Sequence, residues 1–150
     1  MSEFNDFLSK VRRLPAEDLV GLGREALGRT MAGLEKAGHD DKEITAAVMN
    51  LTKLFISADQ RFNESEYSYW RAVTGVDISA EDLYNITNGG KDEEFVQSSL
   101  EFFKSLDEET RSSAFMFGVC MLACDRQFDI EESELIQRIL MVASDEEKEG

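Results

Sequence analysis

Four acidic residues, at matching positions of two nearly identical segments, are the side chains of this sequence best suited to bind a metal ion. The segment ADQRFNESE begins at Ala58, and the segment CDRQFDIEE begins 66 residues later at Cys124. Each contains an Asp, a Phe three residues after the Asp, and a Glu seven residues after it. The four acids are Asp59, Glu66, Asp125 and Glu132. Because Ca²⁺ and Mg²⁺ prefer carboxylate oxygens, these acids are candidate ligands for either ion.

The same two segments also have a purely structural interpretation. Asn63 and Asp129 are good N-cap residues, and the Glu of each segment stands three positions later, as in a capping box. In this interpretation each segment starts a helix and binds nothing. It leaves the two Asp residues unexplained, because a carboxylate in the last turn of a helix faces the negative end of the helix dipole. Loop amides, a nearby Arg or a bound cation would have to stabilise them.

The elements that carry these segments are predicted to be helices. Apolar residues recur at three- and four-residue spacing along most of the chain, and strand signals are almost absent. Predicted helices cover 15–37, 42–58, 64–73, a short stretch capped by Ser79, 92–105, 108–124 and 130–143. Four glycines inside the first of these, Gly21, Gly23, Gly28 and Gly33, are interpreted as sites of close helix contact, with a kink near Gly21–Gly23 as the alternative.

The helix pair 42–58 and 64–73 corresponds to the pair 108–124 and 130–143, so the repeat is a helical hairpin. Two such hairpins bury their apolar faces against each other, which one alone does not. We therefore predict an all-α single domain of seven or eight helices with two internally repeated helical hairpins. Residues 1–41 are assigned to N-terminal helices without a matched motif, 42–143 to the duplicated core and 144–150 to an acidic tail.

The charge of the chain limits its partners. The net charge is −15, with −1 in residues 1–40 and −14 in residues 41–150. Such a surface repels phosphate backbones and anionic lipids, so we expect neither nucleic acid nor a membrane as a partner. No apolar run approaches the roughly 20 residues that a membrane span needs. The first residues are too polar for a signal peptide, and a cytoplasmic location is the expectation.

The remaining reactive or aromatic residues have structural interpretations. His39, the only histidine, follows Gly38 in a predicted loop and is expected at the surface. Cys120 and Cys124 lie in an apolar stretch and are expected to be buried thiols instead of a disulfide or half of a zinc site. Tyr67 and Trp70 share one helical stripe, which indicates core packing or a groove for a partner.

The repeated pattern resembles the TerB-like family, which is associated with tellurite resistance. The matching residues are Ala58, Asp59, Phe62 and Glu66, then Cys124, Asp125, Phe128 and Glu132. The resemblance spans roughly residues 42–140. In that family Gly usually follows the Asp, where this chain has Gln60 and Arg126, and the apolar position is usually aliphatic. The resemblance implies an all-helical, non-catalytic protein linked to stress responses and metal sensing.

These observations predict a non-enzymatic, cytoplasmic accessory protein of a stress response. It would act through an acidic surface that binds a partner protein or a divalent cation, Ca²⁺ or Mg²⁺. The alternative is a Mg²⁺-dependent hydrolase or phosphoryl-transfer enzyme built on the carboxylate cluster. That alternative needs a deep pocket containing two or more of the four acids. The sequence leaves a homodimer open.

Overall fold

A computed structural model describes residues 2–11, 13–57, 64–87, 92–124 and 133–143. These residues form eight α-helices and no strand, so the predicted all-α class is confirmed. The helices are α1 (Ser2–Val11), α2 (Ala16–Lys36), α3 (Asp41–Ile56), α4 (Glu64–Thr74), α5 (Ala80–Ile86), α6 (Glu93–Ser105), α7 (Glu108–Ala123) and α8 (Glu134–Ala143). The predicted acidic tail, 144–150, lies outside the described residues.

The helix ends follow local signals in the sequence. Gly38 has φ +102°, a conformation that favours glycine, and it ends α2 as predicted. Its N–H donates to the Glu35 carbonyl at 3.0 Å, and the His39 N–H donates to the Leu34 carbonyl at 3.1 Å. These two bonds make a Schellman motif, which satisfies carbonyls that a helix end would otherwise leave open. At the start of α5, the predicted cap Ser79 accepts from the Asp82 N–H at 3.1 Å.

Helix α7 is the centre of the fold. Most of its residues are buried, and it packs against α1, α2, α3, α4 and α8. Its sequence from residue 113 to 124, SAFMFGVCMLAC, is apolar on every side, which is typical of a helix surrounded by others. Asp107 caps its first turn by accepting from the Thr110 N–H at 2.8 Å, and this bond lowers the pKa of Asp107.

Two glycines of α2 lie where another helix touches its backbone. A Cβ atom at Gly23 would collide with the Tyr69 ring of α4, and one at Gly33 would collide with the Thr110 side chain of α7. The predicted close contacts are confirmed at these two positions. The C-terminal part of α2 meets the N-terminal part of α7, and the start of α2 lines a pocket with Cys124 at the end of α7, so these two helices run antiparallel.

The other two glycines of α2 face open space, and Gly28→Ala should stabilise the protein. No atom lies within 4 Å of a Cβ placed at Gly28, and α2 is continuous through it. Alanine restricts the unfolded chain and favours the helix, so we expect a gain of about 0.5–1 kcal/mol in the free energy of unfolding. Urea denaturation measures it. Gly33→Ala is the matched control and should lower the same quantity; a gain in both variants would contradict the packing described for Gly33.

Helix α6 packs on the side of α3, and α8 is tied to α6. The Lys53 ammonium lies 4.4 Å from the centre of the Phe95 ring, and the His39 ring meets Phe102 edge-on at 6.3 Å. Since the end of α3 is next to the start of α6, and the start of α3 next to the end of α6, the two run antiparallel. Arg138 of α8 donates to a Glu93 carboxylate oxygen of α6 at 3.0 Å.

The four helices of the predicted repeat lie close to their predicted bounds, except at the start of α8. α3 and α7 both have 16 residues and both have an Asp as N-cap. The helix predicted over 130–143 is described over Glu134–Ala143. At its start the Ser133 hydroxyl accepts from the Ile136 N–H at 3.2 Å, and the predicted cap Asp129 lies outside the described residues. The internal symmetry of the two hairpins stays a prediction.

Candidate functional site

A pocket of about 560 Å³ lies between the first turns of α2 and α4. Its polar lining consists of two exposed carboxylates and two exposed hydroxyls, and its apolar lining comes from α2, α4 and the end of α7. The polar residues are Glu17, Glu64, Ser65 and Ser68. Apart from the nearby Cys124 thiol, the polar atoms of these side chains are hard oxygen atoms. Ca²⁺ and Mg²⁺ prefer such oxygen ligands, whereas zinc and copper favour nitrogen and sulfur ligands.

Both repeated acidic segments border this pocket along the chain. Glu64, the first residue of α4, directly follows residues 58–63, and it lines the pocket. Cys124, which follows α7 and directly precedes residues 125–132, lines the same pocket. One described residue from each segment, Glu64 or Cys124, therefore lines this one pocket, although the segments are 66 residues apart in the sequence.

Of the four predicted metal ligands, Glu66 is the one that the structure describes. Its side chain is fully buried, with 0% exposure, and it is the third residue of α4. That position is the one a capping-box Glu occupies, and a buried carboxylate must be paired to be tolerated. Its position favours the capping interpretation of Glu66, whereas its burial fits a paired carboxylate and a metal ligand equally. The other predicted ligands and caps lie outside the described residues: Asp59, Asn63, Asp125, Asp129 and Glu132.

The described residues do not form a metal centre by themselves. Within 2–11, 13–57, 64–87, 92–124 and 133–143, no three His, Cys, Asp or Glu side chains are grouped closely enough to hold a metal ion. Glu17 and Glu64 supply two carboxylates at the pocket, which is too few for Ca²⁺, with its roughly six to eight oxygen ligands.

The two aromatic residues of the α4 stripe have different contacts: Trp70 lies in the core, and Tyr67 contacts the segment before α5. Trp70 is fully buried, and its indole N–H donates to the Thr52 hydroxyl at 2.9 Å. This is the core-packing alternative, and it leaves no Trp70 surface for a partner. Tyr67 is half-buried, and its hydroxyl donates to the Ile78 carbonyl at 2.6 Å, which fixes the connection from α4 to α5.

Both cysteines are free and buried, as predicted. The Cys124 thiol donates to the Cys120 carbonyl at 3.4 Å. Burial, with a smaller effect of Cys124, raises the pKa of the Cys120 thiol from 9.0 to about 12. Because the thiolate is the nucleophilic form, Cys120 is inert in the native protein at neutral pH. Burial and the same two thiols also raise the pKa of the Tyr69 phenol well above its ordinary value.

Stability should therefore fall in alkaline solution. Between pH 9.0 and about 12, the unfolded state loses the Cys120 proton that the native state keeps. The unfolded state then binds fewer protons, so the free energy of unfolding decreases as the pH rises through this window. Urea denaturation at a series of pH values from about 8 to 11 measures the slope. Cys120→Ala should reduce the slope, with the remainder due to Tyr69 and other groups; an identical slope in the variant would contradict the raised thiol pKa.

A second groove, of about 520 Å³, lies between α3 and α6, and sequence reasoning missed it. Phe95 and Phe102 of α6 line it, together with Ser98 and Ser99 between them. His39 lies at one end, half-buried, with Nδ1 3.6 Å from a Glu43 carboxylate oxygen. The sequence signal that could have indicated this groove is the pair of Phe residues seven positions apart, with small residues between them on the same helical face.

Comparison with known proteins leaves the family open. The chain matches no protein-family model, and no similar curated protein or solved structure was found. Within the part of the chain that the structure describes, no helix is both long enough and apolar enough to cross a membrane.

Proposed function

We propose that this protein is a non-enzymatic, TerB-like accessory protein of the cytoplasm that serves a stress response by binding a divalent cation or a partner protein. One observation carries the cation part. Each of the two segments that repeat the Asp-to-Glu pattern contributes a described residue, Glu64 or Cys124, to the lining of one pocket. One segment alone supplies too few carboxylates for Ca²⁺, so a site needs both.

The proposed ligands are Asp59, Asp125 and Glu132, assisted by Glu64 at the pocket. Ca²⁺ or Mg²⁺ fits this oxygen-rich set better than zinc, since the nearby thiol of Cys124 is buried and donates to a carbonyl. The net charge of −14 in residues 41–150 supports a cation as the ligand by attracting it to the surface. Glu66 is assigned a structural role because it is the third residue of α4, the position of a capping-box Glu.

The double variant Asp59→Asn/Asp125→Asn tests the cation part. A ligand that binds only the native state stabilises it by mass action, so millimolar Ca²⁺ or Mg²⁺ should raise the melting temperature of the wild type. The double variant should lose this increase. Native mass spectrometry of the wild type should show one bound ion that the double variant lacks.

Two controls separate specific binding from general charge. Glu81→Gln/Glu109→Gln removes two exposed carboxylates away from the pocket and should keep the cation-dependent increase. Glu66→Gln should also keep it, because Gln caps as Glu does at this position. If neither ion shifts the melting temperature of the wild type, the cation proposal is wrong. If Glu66→Gln abolishes the shift, Glu66 is a ligand and its structural assignment is wrong.

A further inference from the structure

The groove between α3 and α6 is lined by residues that recur at helical spacing on each helix. On α6, Phe95 and Phe102 are seven residues apart, two turns or about 10 Å along the helix, and both are half-buried. Small side chains line the groove between the two rings, including the buried Ala47 and the exposed Ala46 and Ser98. Three larger side chains of α3 also line it: Asn50, Leu51 and Lys53. Small residues between two aromatic rings leave a trough that is open to solvent and long enough for two turns of another helix.

The charge next to the groove is suited to a basic ligand. Glu94 and Glu101 directly precede the two Phe residues and are exposed, so they follow the groove along the solvent side of α6. Glu43 lines the opposite wall. Lys53 also lines the groove, but its ammonium lies over the Phe95 ring, 4.4 Å from the ring centre, so the acidic side chains lie at the other positions along the groove. The chain as a whole carries −15.

We propose that this groove docks an amphipathic helix of a partner protein, with apolar side chains at i, i+3, i+4 and i+7 and with Lys or Arg on its flanks. The apolar stripe of that helix lies between Phe95 and Phe102, and its basic flank faces Glu94 and Glu101. Such binding uses the helix-in-groove mode, in which the apolar face gives affinity and the flanking charges give orientation. The inference concerns the partner protein and does not depend on the cation site.

The test uses the full chain and a synthetic helical peptide of about 18 residues, with Leu at the four apolar positions and Lys and Ala elsewhere. Isothermal titration calorimetry measures its dissociation constant. Ala46→Arg fills the groove at an exposed position and should weaken binding by at least about tenfold. Thr45→Arg, one position along α3 and outside the groove, adds the same charge and should change the constant by less than about twofold. Should Ala46→Arg fail to fold by circular dichroism, Ser98→Arg replaces it.

Two further peptides complete the design. A scrambled peptide of the same composition has no apolar stripe, and a version with Glu in place of Lys has the opposite charge; both should bind at least about tenfold more weakly. The proposal is overturned if the first peptide does not bind, if the scrambled peptide binds equally well, or if both Arg variants weaken binding alike. It is also overturned if sedimentation shows a dimer that Ala46→Arg dissociates and Thr45→Arg does not, because the groove would then bind a second copy of the chain.

Discussion

Replacing Gly118 by leucine should lower the free energy of unfolding by at least about 3 kcal/mol, one of the two largest effects expected from a single substitution in this chain. Gly118 lies in the middle of α7, the central helix, and a Cβ atom there would collide with the Phe55 ring of α3. Phe55 is fully buried and packs edge-on against Phe115 at 6.3 Å, so its ring has no free space to enter. Chemical denaturation measures the loss.

Gly28→Leu is the matched control for Gly118→Leu. It makes the same substitution in a helix whose Gly faces open space, and it should not destabilise the protein. A second check combines Gly118→Ala with Phe55→Leu, because the leucine side chain is smaller than the phenylalanine ring that it replaces. The double variant should be less destabilised than the sum of the two single variants, because the leucine relieves the collision. Strict additivity would contradict the contact between Gly118 and Phe55.

The helices were predictable because their signals are local. Gly38 and Ser79 act on groups within one or two turns, so their effect is visible in a short window of sequence. Ser133 is a similar local signal that the sequence analysis did not use. Its hydroxyl caps the first turn of α8, whereas the predicted cap Asp129 lies outside the described residues.

The packing was less predictable because its partners are far apart in the chain. The sequence marked Gly23 and Gly33 as close contacts, but it treated Gly21 and Gly28 in the same way. Gly23 and Gly33 differ from the other two because Tyr69 lies against Gly23 and Thr110 lies against Gly33. Each of these partners is at least 46 residues from its glycine in the sequence. The central place of α7 had a signal that was not used: its apolar run has no polar face, whereas its supposed counterpart α3 has one.

In the candidate site, too, the local features were predictable from the sequence and the features that depend on long-range packing were not. The repeat of two acidic segments was visible in the sequence, and so was the position of Glu66 three residues after a good cap. Its complete burial was not, because it depends on helices that pack over the start of α4. The groove between α3 and α6 also depends on a long-range pairing, that of Lys53 with Phe95, which no local pattern indicates.

The second large effect is expected at Trp70, the only tryptophan of the chain. Trp70→Ala should cost about 3–5 kcal/mol, because it removes the largest fully buried side chain and leaves a cavity between α3 and α4. The loss is measured by urea denaturation with circular dichroism, since the variant lacks the fluorophore. A cost below about 1 kcal/mol would contradict the burial of the indole.

A double-mutant cycle isolates the hydrogen bond that Trp70 makes. The Thr52 hydroxyl accepts from the indole N–H at 2.9 Å and donates to the Val48 carbonyl at 2.8 Å, so it links the two helices. Thr52→Val leaves the buried N–H without its acceptor and should cost about 1–3 kcal/mol. Trp70→Phe removes the donor, after which Thr52→Val should cost less, by about 1 kcal/mol, because no unsatisfied N–H remains. If Thr52→Val costs the same in both backgrounds, the two side chains are not coupled, and the link between α3 and α4 rests on apolar packing alone.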